Sequence, residues 1–277
     1  MARSVSWFSW SVSALLTVAV ALNADAGDSE LSAALVGPTF TVTSGTVNDV
    51  GANTVAYNCT NDEYFIVWTD WHTAGNARVN QNDIYGRRVA ADGGFVGGIL
   101  DVYSDSSGKF EPSLVHDPIH NQYLVTWLYQ GGGPGSPGFN HAYGRVIAAT
   151  GSAITAPQDY AVPGLERTMV FNPSAGNEGE FFFLGRSFAA DYPSGIYHQR
   201  VSSAGVAAGA VMIESEGAPG PAGQVALNPW TSQYLVTWRG QSLENLNCRI
   251  VSADGSFATD TFEISLVYPV ASGLAAG

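Results

Sequence analysis

The sequence has few charged residues, and most of its charges are negative. Only 13% of its 277 residues are charged, with 11 Lys and Arg against 24 Asp and Glu, so the formal net charge is −13. Nucleic-acid backbones and anionic membranes are bound by clustered Lys and Arg, so neither is an expected partner. The two cysteines and five scattered histidines show no metal-ligand spacing, and the sequence has neither a G-x-S-x-G elbow nor a Walker-type phosphate loop. We therefore predict no metal site and no cofactor.

Long apolar runs are confined to the N-terminus. Arg3 precedes the apolar residues 14–22, and Ala24-Asp25-Ala26 has the small-x-small pattern of a cleavage site. This predicts an export signal at residues 1–26 and a linker at residues 27–38. An N-terminal membrane anchor is the alternative, but the apolar segment is shorter than the roughly 20 residues of a span. We expect an extracellular, periplasmic or surface protein whose mature form does not enter a membrane.

Cysteines are scarce, and the only two lie far apart in the chain. Two cysteines in an exported protein often pair. Cys59 and Cys248 fall in the first and last of the repeats described next, so a disulfide between them is predicted to join the two ends of the domain. The alternative is that both cysteines are buried free thiols.

The chain does have a repeated pattern of short apolar segments around turns. Residues 112–127 read PSLVHDPIHNQYLVTW, two apolar runs around a turn, which is typical of a β-hairpin. The hairpin recurs about every 55 to 60 residues. Trp68, Trp127 and Trp238 end its second strand, and the third copy has Leu184 at this position. A third strand then ends in a turn with glycine at a fixed offset, which predicts a positive φ at Gly93, Gly151, Gly205 and Gly255.

A short fourth strand completes each copy, and a four-stranded unit repeated in tandem indicates the blades of a β-propeller. We name the strands A to D in chain order. Residues 40–43 resemble an extra D strand, and residues 268–271 resemble the start of a fifth A strand. The predicted fold is an all-β propeller over residues 39–277, with four full repeats plus partial terminal strands. The ring closes with four or five blades or stays incomplete, and open terminal strands allow self-association.

The repeats resemble those of bacterial secreted propeller-type proteins, through the motifs Y-L-V-x-W and Y-G-R-x-V-x-x-D-G. The resemblance extends over about residues 40–270, and the third copy departs most from it. It implies the propeller architecture and a secreted or surface protein. It implies no particular activity.

The long B–C loops and the D–A loops leave a blade on the same face, and function concentrates on loops held by a rigid scaffold. We call this the long-loop face. Aromatic rings stack on sugars or hold peptide side chains, and polar groups orient the ligand. The predicted ligand-binding residues are Asp70, Trp71, His72, Tyr129, His141, Phe188 and Tyr192. The alternative is that the aromatic rings among them only form the cores of the loops.

Two glutamates are candidate catalytic residues. Glu111 and Glu166 stand at the same offset before their A strands, and glycoside hydrolysis uses a pair of carboxyl groups. No third acidic residue completes a set, so the sequence favours a non-enzymatic module that binds carbohydrate or an extracellular protein. A propeller glycoside hydrolase or lyase is the first alternative. A structural repeat of a surface layer or fibre is the second.

Overall fold

The computed structural model describes residues 40–42, 49–74, 77–130, 141–160, 168–187, 193–215, 223–240 and 245–265. The chain divides after residue 41, and all strands lie in the unit that follows. Within the described ranges there are β-strands and no α-helix, and accordingly no helix that could cross a membrane.

The strands form four antiparallel sheets, each of four consecutive strands. Blades 1 and 2 contain β1 (Asp49–Asn58), β2 (Glu63–Ala74), β3 (Ala77–Ala90), β4 (Phe95–Tyr103), β5 (Gly108–Asp117), β6 (Gln122–Gln130), β7 (His141–Ala148) and β8 (Gln158–Tyr160). Blades 3 and 4 contain β9 (Thr168–Asn172), β10 (Glu180–Ser187), β11 (Gly195–Ser202), β12 (Val211–Ser215), β13 (Val225–Asn228), β14 (Gln233–Arg239), β15 (Asn245–Val251) and β16 (Phe262–Ser265). The predicted fold class, a β-propeller of four-stranded antiparallel blades, is confirmed.

The C–D turns use glycine as predicted. Gly93, Gly151, Gly205 and Gly255 have φ values of 87°, 92°, 82° and 85°, which side chains other than glycine rarely adopt. At Gly151 a Cβ would also lie 2.2 Å from the side chain of Leu100 in the preceding blade. Glycine is therefore needed there both for the turn and for the approach of one blade to the next.

Three apolar cores lie between consecutive blades. Each strand points alternate side chains to opposite faces of its sheet, so blades 2 and 3 pack against a neighbouring blade through both faces. Phe65 and Trp127 belong to the core between blades 1 and 2, Leu124 and Phe181 to that between blades 2 and 3, and Phe182 to that between blades 3 and 4. We call the face toward the preceding blade the leading face and the face toward the following blade the trailing face.

Blade 4 and blade 1 do not form a fourth interface among the described residues. The innermost strands contact one another in the order β1, β5, β9 and β13, whereas β13 and β1 share no comparable contact. No buried apolar cluster joins blade 4 to blade 1 in the described ranges. Over the described residues the four blades therefore form an open arc, which is the incomplete closure that the sequence left as one of its alternatives.

The repeated tryptophans are buried, as predicted, but the third copy is out of register by one residue. Trp127 and Trp238 are fully buried in the cores on the leading faces of blades 2 and 4, and Trp68 is buried on the leading face of blade 1. Trp127 lies opposite Tyr143 in the next strand, and the matching Tyr197 of blade 3 lies opposite Gly185. The assignment of Leu184 to the Trp position was therefore wrong. Leu184 packs on the trailing face.

An arginine of strand C ties each of two blades to the D strand of the blade before it. Arg145 donates to the carbonyl of Val102 at 3.0 Å, and Arg249 donates to that of Ile213 at 3.1 Å. Arg87 of blade 1 donates in the same way to the carbonyl of Val42. Val42 thus stands where a residue of the D strand of a preceding blade would lie, in agreement with the likeness of residues 40–43 to β16 in sequence.

The predicted disulfide does not form. Cys59 is an exposed free thiol in the turn between β1 and β2, and Cys248 is a buried free thiol in β15. The prediction assumed that the first and last repeats meet. Because the arc is open between blades 4 and 1, nothing brings these two residues together.

Candidate functional site

The long-loop face is only partly described. Of the predicted site residues, Asp70, Tyr129 and Glu111 have described side chains. Trp71, His72 and His141 lie in strands, but their side chains are outside the described part, as are residues Glu166, Phe188 and Tyr192 altogether. The structure therefore leaves most of the predicted ligand set as a prediction.

The described part of this face contains a charged cluster around Lys109, the only lysine in the chain. Lys109 has a relative exposure of 0%. Its Nζ lies 3.2 Å from Asp83 Oδ1 in blade 1 and contacts Asp105 Oδ1 in the loop between blades 1 and 2. It also donates to the backbone carbonyl of Asp105 at 2.8 Å. A buried ammonium is tolerated only when it is paired, and here two carboxylates pair with it.

Two tyrosines contact Asp105, and a third packs on one of them. The hydroxyl of Tyr103 donates to Asp105 Oδ2 at 2.8 Å, and the hydroxyl of Tyr129 lies 2.8 Å from that of Ser107. The rings of Tyr129 and Tyr143 are in contact, with centroids 4.5 Å apart. The cluster thus joins a pair of aromatic rings to a fixed carboxylate.

The ionisation of this group follows from its contacts. Burial alone would raise the pKa of Asp105, but hydrogen bonds from Lys109, the Ser107 amide and Tyr103 outweigh it and hold that pKa below its ordinary value. Burial, together with the bond to Asp105, raises the pKa of Tyr103 well above that of free tyrosine. Near neutral pH Asp105 is therefore an anion and Tyr103 a neutral donor.

Two buried acceptor oxygens beside the cluster have no partner among the described residues. Asp70 lies directly across from Asp83 in the pairing of β2 with β3, and its Oδ1 is buried and unpaired. Asn82 donates through Nδ2 to the Lys109 carbonyl at 3.2 Å, while its Oδ1 is unpaired. Buried polar groups are nearly always hydrogen-bonded, so each of these oxygens is a candidate acceptor for a group outside the described residues. Within the described residues, no group of three or more His, Cys, Asp or Glu is arranged to hold a metal ion.

Glu111 has an unusual backbone. Its φ is +48°, and it lies at the register shift between Phe110 and Ser113 in the pairing of β5 with β6. A non-glycine residue in this region costs free energy and turns its side chain away from the regular strand direction. The side chain is exposed, two residues from Lys109.

The opposite face of the propeller has a cleft of about 410 Å³, lined by the A strands of three blades. Its walls include Tyr57, His116 and Phe171. The nearby His120 is bonded through Nδ1 to Asp117 at 2.7 Å, and the same carboxylate accepts the backbone amides of the turn. Asp117 thus explains His120 as part of a structural turn, and His116 Nε2 lies 3.4 Å from Asn121 Oδ1 in the same hairpin.

The sequence reasoning missed the Lys109 cluster. Asp83, Asp105 and Lys109 belong to no repeated motif, so the comparison of the repeats did not select them. One signal was available, because a single lysine in a chain of 277 residues is unlike an ordinary solvated surface lysine. Its burial between two carboxylates could only be seen once blades 1 and 2 were packed together.

The four sheets and the arrangement of their strands are those of a β-propeller protein. No family model and no curated protein matches the sequence. Among solved structures the chain is similar to a protein of unknown function from Dyadobacter fermentans, with 11% identity, a TM-score of 0.56, and coverage of 80% of this chain and 70% of that one. It is also similar to a Hadza microbial sialidase, with 12% identity, a TM-score of 0.51, and coverage of 79% of this chain and 46% of that one. The chain thus spans under half of the sialidase, and identities this low show the fold alone.

Proposed function

We propose that this protein is an exported β-propeller that binds carbohydrate on its long-loop face, next to the Lys109 cluster. The observation that carries the proposal is the contact of Tyr129 with Tyr143 beside Asp105 and the unpaired acceptors of Asp70 and Asn82. Sugars offer apolar C–H faces to aromatic rings and hydroxyl donors to fixed oxygens. The fold likeness to a sialidase and the export signal predicted from the N-terminus support this proposal.

The role of Lys109 in this proposal is to position Asp105 and Asp83. The ammonium holds one oxygen of each carboxylate, and Tyr103 holds the second oxygen of Asp105. A ligand hydroxyl would then meet acceptors already fixed in direction, so little side-chain entropy is lost on binding.

A glycan array followed by calorimetry with the glycans that bind tests the proposal. We expect Tyr129→Ala to weaken binding by about 1–3 kcal/mol, or about 5- to 150-fold, because it removes the stacking ring. Tyr129→Phe keeps the ring and should change affinity much less. Trp230→Ala is the matched control, because Trp230 is 91% exposed in the β13–β14 turn, on the opposite face.

Two results would contradict the proposal. One is an array without any bound glycan, which would favour the extracellular-protein partner. The other is a folded Tyr129→Ala protein that binds glycans as the wild type does.

A second candidate function is glycoside hydrolysis, favoured by the strained backbone of Glu111. Residues in sparsely populated φ regions cluster at active sites, and Glu111 is exposed two residues from Lys109, which pairs with Asp83 and Asp105. Glu111→Gln should then abolish turnover of chromogenic glycosides while leaving glycan affinity within a few-fold of the wild type. An inactive wild type, or a Glu111→Gln protein that retains full turnover, would remove this candidate.

A further inference from the structure

Two of the three interfaces within the arc use the asparagine that ends strand A. Asn58 of blade 1 donates to Asn121 of blade 2 at 2.8 Å. In the same position, Asn172 of blade 3 donates to the hydroxyl of Tyr234 in blade 4 at 3.0 Å. The equivalent residue of blade 4 is Asn228. It caps its own turn through Oδ1, and within the described chain its amide nitrogen reaches no following blade.

The trailing face of blade 4 is an uncovered copy of faces that are buried elsewhere. Leu235 occupies the strand-B position of Leu124 and Phe182, as the strand pairings show. Those two residues are fully buried against the following blade, whereas Leu235 is 40% exposed. Leu246 and Ile264, which pair across β15 and β16 on the same face, are also exposed.

The leading face of blade 1 is uncovered around the first half of strand B, although Trp68 on the same face is buried. Val55 and Tyr57 of strand A are 58% and 47% exposed, and Tyr64 of strand B is 42% exposed. Tyr64 corresponds to Tyr234, which is fully buried and stacks on Phe182 of the preceding blade with ring centroids 3.9 Å apart. The described part of one chain therefore carries both halves of an interface that its own blades 4 and 1 do not form.

We propose that a second copy of this chain occupies these faces, with blade 4 of one copy packed on blade 1 of the next. The geometry continues the three internal interfaces. Asn228 of one copy donates to the Tyr64 hydroxyl of the other, as Asn172 donates to Tyr234, and Leu235 packs on the Tyr64 ring, as Phe182 packs on Tyr234. Such head-to-tail contacts use two different surfaces, so they close into a ring or continue as a filament.

The segment around Val42 limits this association. In two of the internal interfaces the arginine of strand C donates to a carbonyl of the preceding D strand, and in blade 1 Arg87 already donates to the carbonyl of Val42. By its alignment with Val42, Ile264 of a second copy is the residue that would take this place. When a second copy docks, Arg87 exchanges its hydrogen bond to the Val42 carbonyl of its own chain for one to the other copy. Because this exchange offsets part of the gain, we expect association to become measurable only as protein concentration rises.

Analytical ultracentrifugation of the full chain over a range of concentrations tests the proposal. The wild type should form oligomers reversibly. Leu235→Arg on the trailing face and Val55→Glu on the leading face should each abolish them, because each buries an unpaired charge in the contact. Val206→Glu places the same new charge on a valine of blade 3 that is 62% exposed and outside both faces, and it should associate as the wild type does.

Mixing the two blocked variants separates this arrangement from other kinds of association. The Leu235→Arg protein keeps an intact leading face, and the Val55→Glu protein keeps an intact trailing face. Together they should form a one-to-one dimer that cannot grow, although each alone is monomeric. A wild type that stays monomeric at all concentrations would overturn the proposal, as would oligomers that survive both substitutions or a mixture that remains monomeric.

Discussion

A buried histidine between blades 3 and 4 makes the stability of this protein depend on pH. The ring of His198 is 1% exposed and stacks on Phe182, with centroids 5.0 Å apart and planes 11° from parallel. Neither ring nitrogen has a hydrogen-bond partner among the described residues. Burial, with a smaller contribution from the charge of Arg200, lowers the pKa of His198 from 6.5 to about 4, and the nearby Gly255 backbone opposes this shift only weakly because it does not meet hydrogen-bond geometry.

The sign and size of the effect follow from this pKa. In the unfolded chain the imidazole takes up a proton near pH 6.5, and in the folded protein it does so only near pH 4. Between these values the unfolded state binds more protons, so the free energy of unfolding decreases as the pH falls. One pKa unit is worth about 1.4 kcal/mol, so His198 should remove about 3 kcal/mol of stability by pH 4 and none above pH 6.5.

Urea unfolding of the wild type and of His198→Leu from pH 7 to pH 4 isolates this contribution. The variant should be at least as stable as the wild type at pH 7, because it removes an unpaired polar group from an apolar site. Its advantage should grow by about 3 kcal/mol as the pH falls. Burial also lowers the pKa of His116, but this residue is present in both proteins, so its effect cancels in the comparison. A stability difference that stays constant from pH 7 to pH 4 would refute the reasoning.

Three further outcomes are expected. Trp127→Ala should lower the free energy of unfolding by about 3–5 kcal/mol through the cavity between blades 1 and 2, and an unchanged melting curve would contradict that core. Lys109→Met should cost about 3–5 kcal/mol at neutral pH because it leaves two carboxylates without their cation, and the loss should shrink when they are protonated in acid. In thiol titration Cys59 should react in the folded protein and Cys248 only after unfolding. Two thiols reacting at the same rate would be inconsistent with the burial of Cys248.

The sequence pattern predicted the elements that repeat. Glycine at one offset in four copies requires a common turn, and the tryptophan of strand B recurs because each blade must fill the same space against its neighbour. Both signals are local and periodic, so they can be recognised in the sequence without knowledge of the tertiary structure. They were enough to predict the four-stranded blades and the strand order.

The predictions that failed concern features that depend on packing between distant segments. Residues 181–184 are apolar without interruption, since both faces of blade 3 are buried, so alternation could not fix the register of Leu184. The pairing of Cys59 with Cys248 required a closed ring. The cluster around Lys109 draws its carboxylates from β3 and from the loop before β5, and no spacing in the sequence relates those positions.

The burial of the single lysine also determines how the protein reacts with reagents that modify amines. Apart from the α-amino group, Lys109 Nζ is the only primary amine in the chain, and in the folded state it is enclosed by Asp83 and Asp105. Acylating dyes and aldehyde fixatives should therefore leave the side chains of the folded propeller unlabelled at this position. Acylation of Lys109 would report the separation of blades 1 and 2, so a peptide map taken over time gives the opening rate of that one interface.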